Sequence, residues 1–219
     1  MSDTFKIVNL GLPKTGTTTL TRALRRAQIR TVDWRIHRRQ STDPELVGKH
    51  LGTVMYRDYF DHGDPFHRLN DFRAFNELSQ AGLHYTIWPQ TDWGMIDAIQ
   101  RHHPDTRFLL NMRDPAETAS SIMRWGNLGT LRLPNTNVPG LPKGYGAEES
   151  HLARWVLGHY MFCERVFSGA DNFLAFDITD PDAPKKVGAF LGIDLPWWGR
   201  ANENKSAPAK PAAPADQPV

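Results

Sequence analysis

The chain has 219 residues and a mass of 24.8 kDa; 40% of it is hydrophobic and 23% charged. That balance fits one ordinary globular domain with a core that needs no covalent staples, and excludes a fibre or a wholly disordered chain. A single cysteine, Cys163, excludes an internal disulfide framework and any multi-cysteine metal site. Lysine and arginine number 26 against 24 acids, a net charge of +2. No apolar run approaches the roughly 18 residues of a membrane span. The opening MSDTFKIVNL lacks the basic and apolar regions of a secretory signal, so a cytoplasmic location away from membranes is expected.

In chain order, Phe5 to Leu10 reads as a first strand. A glycine-containing turn follows, then a helix from about Thr17 with Leu20, Ala23, Leu24 and Ala27 at helical spacing. Between positions 20 and 40 stand seven arginines (Arg22, Arg25, Arg26, Arg30, Arg35, Arg38 and Arg39) and one acid, Asp33. They could attract phosphate, sulfate or nucleic acid, or simply form a solvated face. No recognition motif accompanies them, and a nucleic-acid partner is not expected. Thr31 to Trp34 suggests a short second strand, and 41–82 is mixed, with helical potential around Phe72 to Leu78.

His84 to Trp88 reads as a strand, followed by a helix at about Trp93 to His102. Arg107 to Met112 is a buried strand. Asp114-Pro115 supplies an N-cap and a first-turn proline for the helix that runs to about Trp125. The stretch Gly126 to Gly146, rich in glycine and proline, is expected to be a long loop of the kind that carries function. A helix from Glu148 to Phe167, a strand at Asn172 to Phe176 and a helix from Pro181 to Leu191 complete the pattern. Alternating strands and helices predict an α/β domain over 1–204: a P-loop-like three-layer fold with a central parallel sheet flanked by helices. Residues 205–219, rich in alanine and proline, read as a disordered tail.

The strongest chemical signal is Gly11-Leu-Pro-Lys-Thr-Gly-Thr-Thr18, between an apolar strand and a helix. Backbone N–H groups and the helix dipole at such a junction favour an anion, and Lys14, Thr17 and Thr18 add a cation and two hydroxyls. Gly16 lets the backbone come close. The spacing nearly matches G-x-x-x-x-G-K-[ST], but Thr17 stands where that pattern needs lysine, and Lys14 comes three residues earlier. No strand ends in an obvious Mg²⁺-holding aspartate. The loop is therefore expected to hold a phosphate-like group without being that of a Mg²⁺-dependent NTPase. The nine histidines show no metal-ligand spacing, and no metal is expected.

This loop resembles the 5′-phosphosulfate loop of sulfotransferases that use 3′-phosphoadenosine 5′-phosphosulfate (PAPS), in their bacterial and microbial-eukaryote branch. Arg113, at the end of FLLNMRDP, and Ser121, eight residues on, resemble the same family's 3′-phosphate contacts. Trp198-Gly-Arg-Ala-Asn202 is similar, more loosely, to its closing segment, with Arg200 as a further phosphate contact. The resemblance implies PAPS as co-substrate and in-line transfer of a sulfuryl group to a hydroxyl or amine acceptor, small molecule or glycan. It implies that Lys14 stabilises the bridging oxygen and that Thr15, Gly16, Thr17, Thr18, Arg113, Ser121 and Arg200 hold the donor. The family's general base lies in a loop where this chain offers only Asp92, with His84 and Asp71 as fallbacks; the plainer reading of Asp92 is the N-cap of the helix beginning at Trp93. The alternatives are a nucleotide-dependent small-molecule kinase, or a non-catalytic relative that binds adenosine bisphosphate or nucleic acid.

Overall fold

A computed structural model describes residues 5–199. Five strands form a fully parallel sheet: β1 (Ile7–Asn9), β2 (Thr31–Val32), β3 (Ala74–Phe75), β6 (Arg107–Met112) and β7 (Phe173–Asp177), in the order β2-β3-β1-β6-β7. Strands β4 (Gln80–Ala81) and β5 (Thr86–Ile87) form a separate antiparallel pair. The helices are α1 (Thr17–Arg26), α2 (Leu51–His62), α3 (Trp93–His102), α4 (Pro115–Met123), α5 (Glu149–Val166) and α6 (Ala183–Leu191).

The period of two along each strand explains why helices cover both faces. Val8, Phe75, Phe108 and Leu110 point to one side, into a cluster with Val54 and Met55 of α2, Ile96 and Ile99 of α3, and Leu152 and Val156 of α5. Ile7, Ala74 and Leu109 point to the other, against Leu20 and Leu24 of α1 and Val187 and Leu191 of α6. The result is an α/β domain whose parallel sheet is flanked by helices. Among the described residues, no helix is long and apolar enough to cross a membrane.

Two expectations are corrected. Residues 72–78 are not helical; Ala74 and Phe75 form β3, inserted between β1 and β2. Alternating strand burial and a short helical stripe look alike over so few residues, and pairing on both sides decides for the strand. Residues 84–88 do give a strand, but Thr86 and Ile87 pair with Gln80 and Ala81 rather than with the main sheet. Helix α2, inside the mixed 41–82 stretch, has no side-chain cap to announce it. Within the glycine- and proline-rich loop, Leu128–Arg132 forms a π-helical turn.

Candidate functional site

The chain leaves β1 toward β2 and β3 on one side of the sheet, and β6 lies on the other. Such a reversal of strand order opens a crevice at the carboxyl ends of the strands. The Gly11–Thr18 loop sits at this point. A cleft of about 1770 Å³ opens there, lined by Lys14, Gly16, Thr17, Thr18, Arg113 and Ser121 among others.

Three buried asparagines hold the loop from below. Asn9 ends β1, Asn76 follows β3 and Asn111 lies near the end of β6, so they stand on three adjacent strands. The Asn9 side chain donates to Asn76 Oδ1 and accepts from the Gly11 amide at 3.1 Å. Asn76 Nδ2 donates to the Thr17 carbonyl at 2.7 Å and to Thr21 Oγ1 at 2.6 Å. Asn111 Nδ2 donates to the Thr15 carbonyl at 2.7 Å. A Cβ at Gly11 would collide with the Asn111 amide oxygen, so this position has no room for a side chain. Gly16 is the N-cap of α1 at φ +98, in the left-handed region that glycine enters without steric cost. Having no side chain, it leaves the first-turn amides of α1 uncapped from that position.

Lys14 also has a left-handed backbone, φ 74, and its ammonium lies 3.5 Å over the Trp125 ring. Partial burial lowers its pKa, opposed by the Glu77 carboxylate and reinforced by Arg113. Thr17 and Thr18 face the cleft, but Thr15 does not line it; its buried hydroxyl donates to the Leu12 carbonyl at 2.7 Å. Arg113 follows β6, with its backbone pinned by Tyr160 of α5. The Tyr160 hydroxyl accepts from the Arg113 N–H at 3.2 Å and donates to its carbonyl at 3.1 Å. The Arg113 guanidinium is held by Glu117, one turn along α4, with both contacts at 2.8 Å. Asp114 and Pro115 start α4 as expected, and Ser121, two turns in, is buried and lines the cleft.

The C-terminal segment closes another side. Thr19 Oγ1 donates to the Gly199 carbonyl at 2.9 Å, and Trp198 and Gly199 line the cleft. Arg200 lies outside the described residues. Asp92 is placed elsewhere: it caps α3 through the Met95 amide at 3.3 Å and accepts from the Tyr56 hydroxyl at 2.8 Å, and it does not line the cleft. Burial first, and Asp92 second, raise the Tyr56 pKa. His84 and Asp71 are exposed and also absent from the lining.

Glu77, two residues beyond β3, is the acid that the sequence reading missed. It lines the cleft with a left-handed backbone, φ 51. Burial raises its pKa to about 7, helped by Asp33 just after β2 and opposed by Lys14 and a hydrogen bond from Thr17. The missing signal was β3 itself: an acid just past a strand end reads as a site candidate, whereas the same acid in a helix reads as solvated.

The arginine cluster stays outside. Of its seven members none lines the cleft; Arg25 pairs with Asp33 at 3.2 Å, Arg30 with Asp71 at 3.6 Å, and Arg35 donates to the Gly48 carbonyl. Among the described residues, no group of three or more histidine, cysteine or acidic side chains is arranged to hold a metal ion. No protein-family model and no curated protein matches the chain.

Proposed function

We propose that the protein is a PAPS-dependent sulfotransferase on a P-loop-like fold, with Lys14 as the cation at the leaving oxygen and Glu77 as the general base. One observation carries this: a lysine from the phosphate loop and a glutamate with a pKa of about 7 share one cleft and are coupled to each other, while Arg113 and Ser121 line the same space. The donor supplies an activated sulfuryl group on a phosphate. The residues present suit it: loop amides and the hydroxyls of Thr17 and Thr18 for the phosphosulfate, Arg113 and Ser121 for the 3′-phosphate.

In the reaction, the acceptor oxygen forms a new S–O bond as the bond from sulfur to the 5′-phosphate oxygen breaks. The acceptor proton passes to the Glu77 carboxylate, and the leaving oxygen keeps the bonding pair beside the Lys14 ammonium. Charge shifts toward that oxygen, so a positioned cation stabilises the transition state more than the ground state. A base near neutrality is half ionised at the pH at which it works. Asp92, tied to Tyr56 and the start of α3, serves the fold instead.

The test is calorimetric titration with adenosine 3′,5′-bisphosphate beside ADP and ATP, with and without Mg²⁺. The expected result is preferential, Mg²⁺-independent binding of the bisphosphate. Preference for ATP with Mg²⁺ would replace this proposal with a kinase.

A further inference from the structure

The cleft extends past the Lys14 loop and the Arg113–Ser121 wall. Its far end is built by Asp33 and Trp34 after β2, His50 before α2, and Glu77, Ser79 and Gln80 after β3. Resting on the sulfuryl-transfer reading above, we infer that this end holds the acceptor, and that the acceptor is a hydroxyl on a neutral saccharide unit.

Charge disfavours an anionic acceptor, because acidic side chains outnumber basic ones along the cleft. Glu77 would repel it where the nucleophile must sit, and Asp33, although paired with Arg25, adds a second carboxylate. Arg25 is spent on Asp33 and the Thr31 carbonyl. Arg132 donates to the Ala81 carbonyl at 2.7 Å beside this end and keeps its buried Nε without a hydrogen-bond partner among the described residues, a donor that a hydroxyl oxygen can meet, while Arg124 donates to Ser120 Oγ.

A simple amine fits the charge but not the chemistry. Between two carboxylates it would be held as an ammonium, whose lone pair is taken up by a proton. A base of pKa about 7 leaves a primary amine near its usual value of about 10 protonated in all but roughly one molecule in a thousand. A hydroxyl keeps its lone pairs and gives up its proton only as the S–O bond forms.

The polar groups at this end ask for several donors and acceptors at once. Asp33 Oδ1 is buried without a hydrogen-bond partner among the described residues. Gln80 accepts from Thr53 through Oε1, at 3.2 Å, and lines the cleft. A flat phenol would bury these groups against carbon, and leaving a buried polar group unmatched is unfavourable. Trp34 supplies the complementary surface. Its ring is 41% exposed and is braced by His50 at 5.4 Å and His37 at 6.5 Å. A ring with a C–H face and a hydroxyl edge meets the indole with one and Asp33, Ser79 and Gln80 with the other.

The test uses the full chain, radiolabelled PAPS and four acceptor sets: neutral mono- and disaccharides, uronic-acid oligosaccharides, simple phenols and primary alkylamines. Label is expected on a neutral saccharide. Trp34→Ala should raise the acceptor KM at least about tenfold while kcat and the bisphosphate Kd stay within about twofold, and Trp34→Phe should recover most of the loss. Label on a phenol, amine or uronate in place of a neutral saccharide overturns the inference. So does an unchanged acceptor KM in Trp34→Ala, or no labelling of any saccharide by a protein that binds the bisphosphate. Failure to bind the bisphosphate at all would instead refute the donor reading, and the two failures are told apart by that one titration.

Discussion

The Lys14 ammonium rests 3.5 Å above the ring of Trp125, two residues past the end of α4. The indole is 40% exposed, so the contact is made at the cleft wall rather than in the core. A partly desolvated cation–π contact is worth about 0.5–2 kcal/mol, enough to hold a flexible lysine in one place. It follows that Lys14 is shielded from reagents in the free protein. Trp125→Ala should speed acylation of Lys14 several-fold, read by mass spectrometry, and Trp125→Phe should leave it close to wild type. Unchanged labelling in Trp125→Ala would show that the contact is not populated in solution.

Arg113 is held by a partner that a phosphate must displace or share. Its pair with Glu117 is largely exposed, with Glu117 58% accessible, and such pairs contribute about 0–1 kcal/mol. Glu117→Ala should therefore tighten bisphosphate binding by up to about fivefold, by removing both the tie and a like charge. Arg113→Ala should weaken it by about 1.5–3 kcal/mol, the value of a charged hydrogen bond, and should spare ADP. Equal weakening for ADP would remove Arg113 from the 3′-phosphate.

Glu77 gives the site a pH dependence whose sign can be worked out. Its pKa, raised to about 7, means that it is neutral below that pH and anionic above it. A bound polyanion favours the neutral form, so binding takes up a proton and affinity falls as pH rises through about 7. Transfer needs the ionised carboxylate, and the bound donor raises its pKa further, so the rate rises with pH at somewhat higher values. Glu77→Gln should bind the bisphosphate with a flatter pH profile and lose transfer. Calorimetry in two buffers of different ionisation heat reads the proton uptake directly.

His159 makes a separate prediction about stability. It is buried in α5 and donates from Nε2 to the Leu10 carbonyl at 2.8 Å, and burial lowers its pKa to about 4. In the unfolded chain it titrates at about 6.5, so below that pH the unfolded state binds the extra proton. Stability is fully present above about 6.5 and declines toward pH 4, by up to roughly 3 kcal/mol. Urea unfolding at several pH values should show this slope, and His159→Gln should flatten it whatever its stability at pH 7. The neighbouring Cys163 has its thiol pushed up to about 12 by burial, which leaves it protonated and unreactive across the same range.

Much of this was legible in the residues. The Gly11–Thr18 loop announces itself by composition and position, and Asp114-Pro115 marks the start of α4 because cap and first-turn chemistry are local. Arg113 and Ser121 were expected only from a family resemblance, and both line the cleft. Glu77, Trp34 and Asp33 were not legible, because they meet only after β2 and β3 pair in parallel, and strands of two residues carry almost no pattern. Asp92 illustrates the opposite case. Its position after a strand suggests chemistry, but the side chain is used locally, and only the Tyr56 and Met95 hydrogen bonds distinguish the two roles.

The asparagines at the ends of β3, β1 and β6 make the loop and three strands one unit of change. Each amide serves a neighbour, and Gly11 has room only for the Asn111 that already faces it. Replacing one strands the partners of the next, so a second replacement in the set should cost less than the first, and the losses should not add. A descendant of this sequence with a different loop would need several substitutions together, since each one taken alone lowers stability before any new arrangement can compensate.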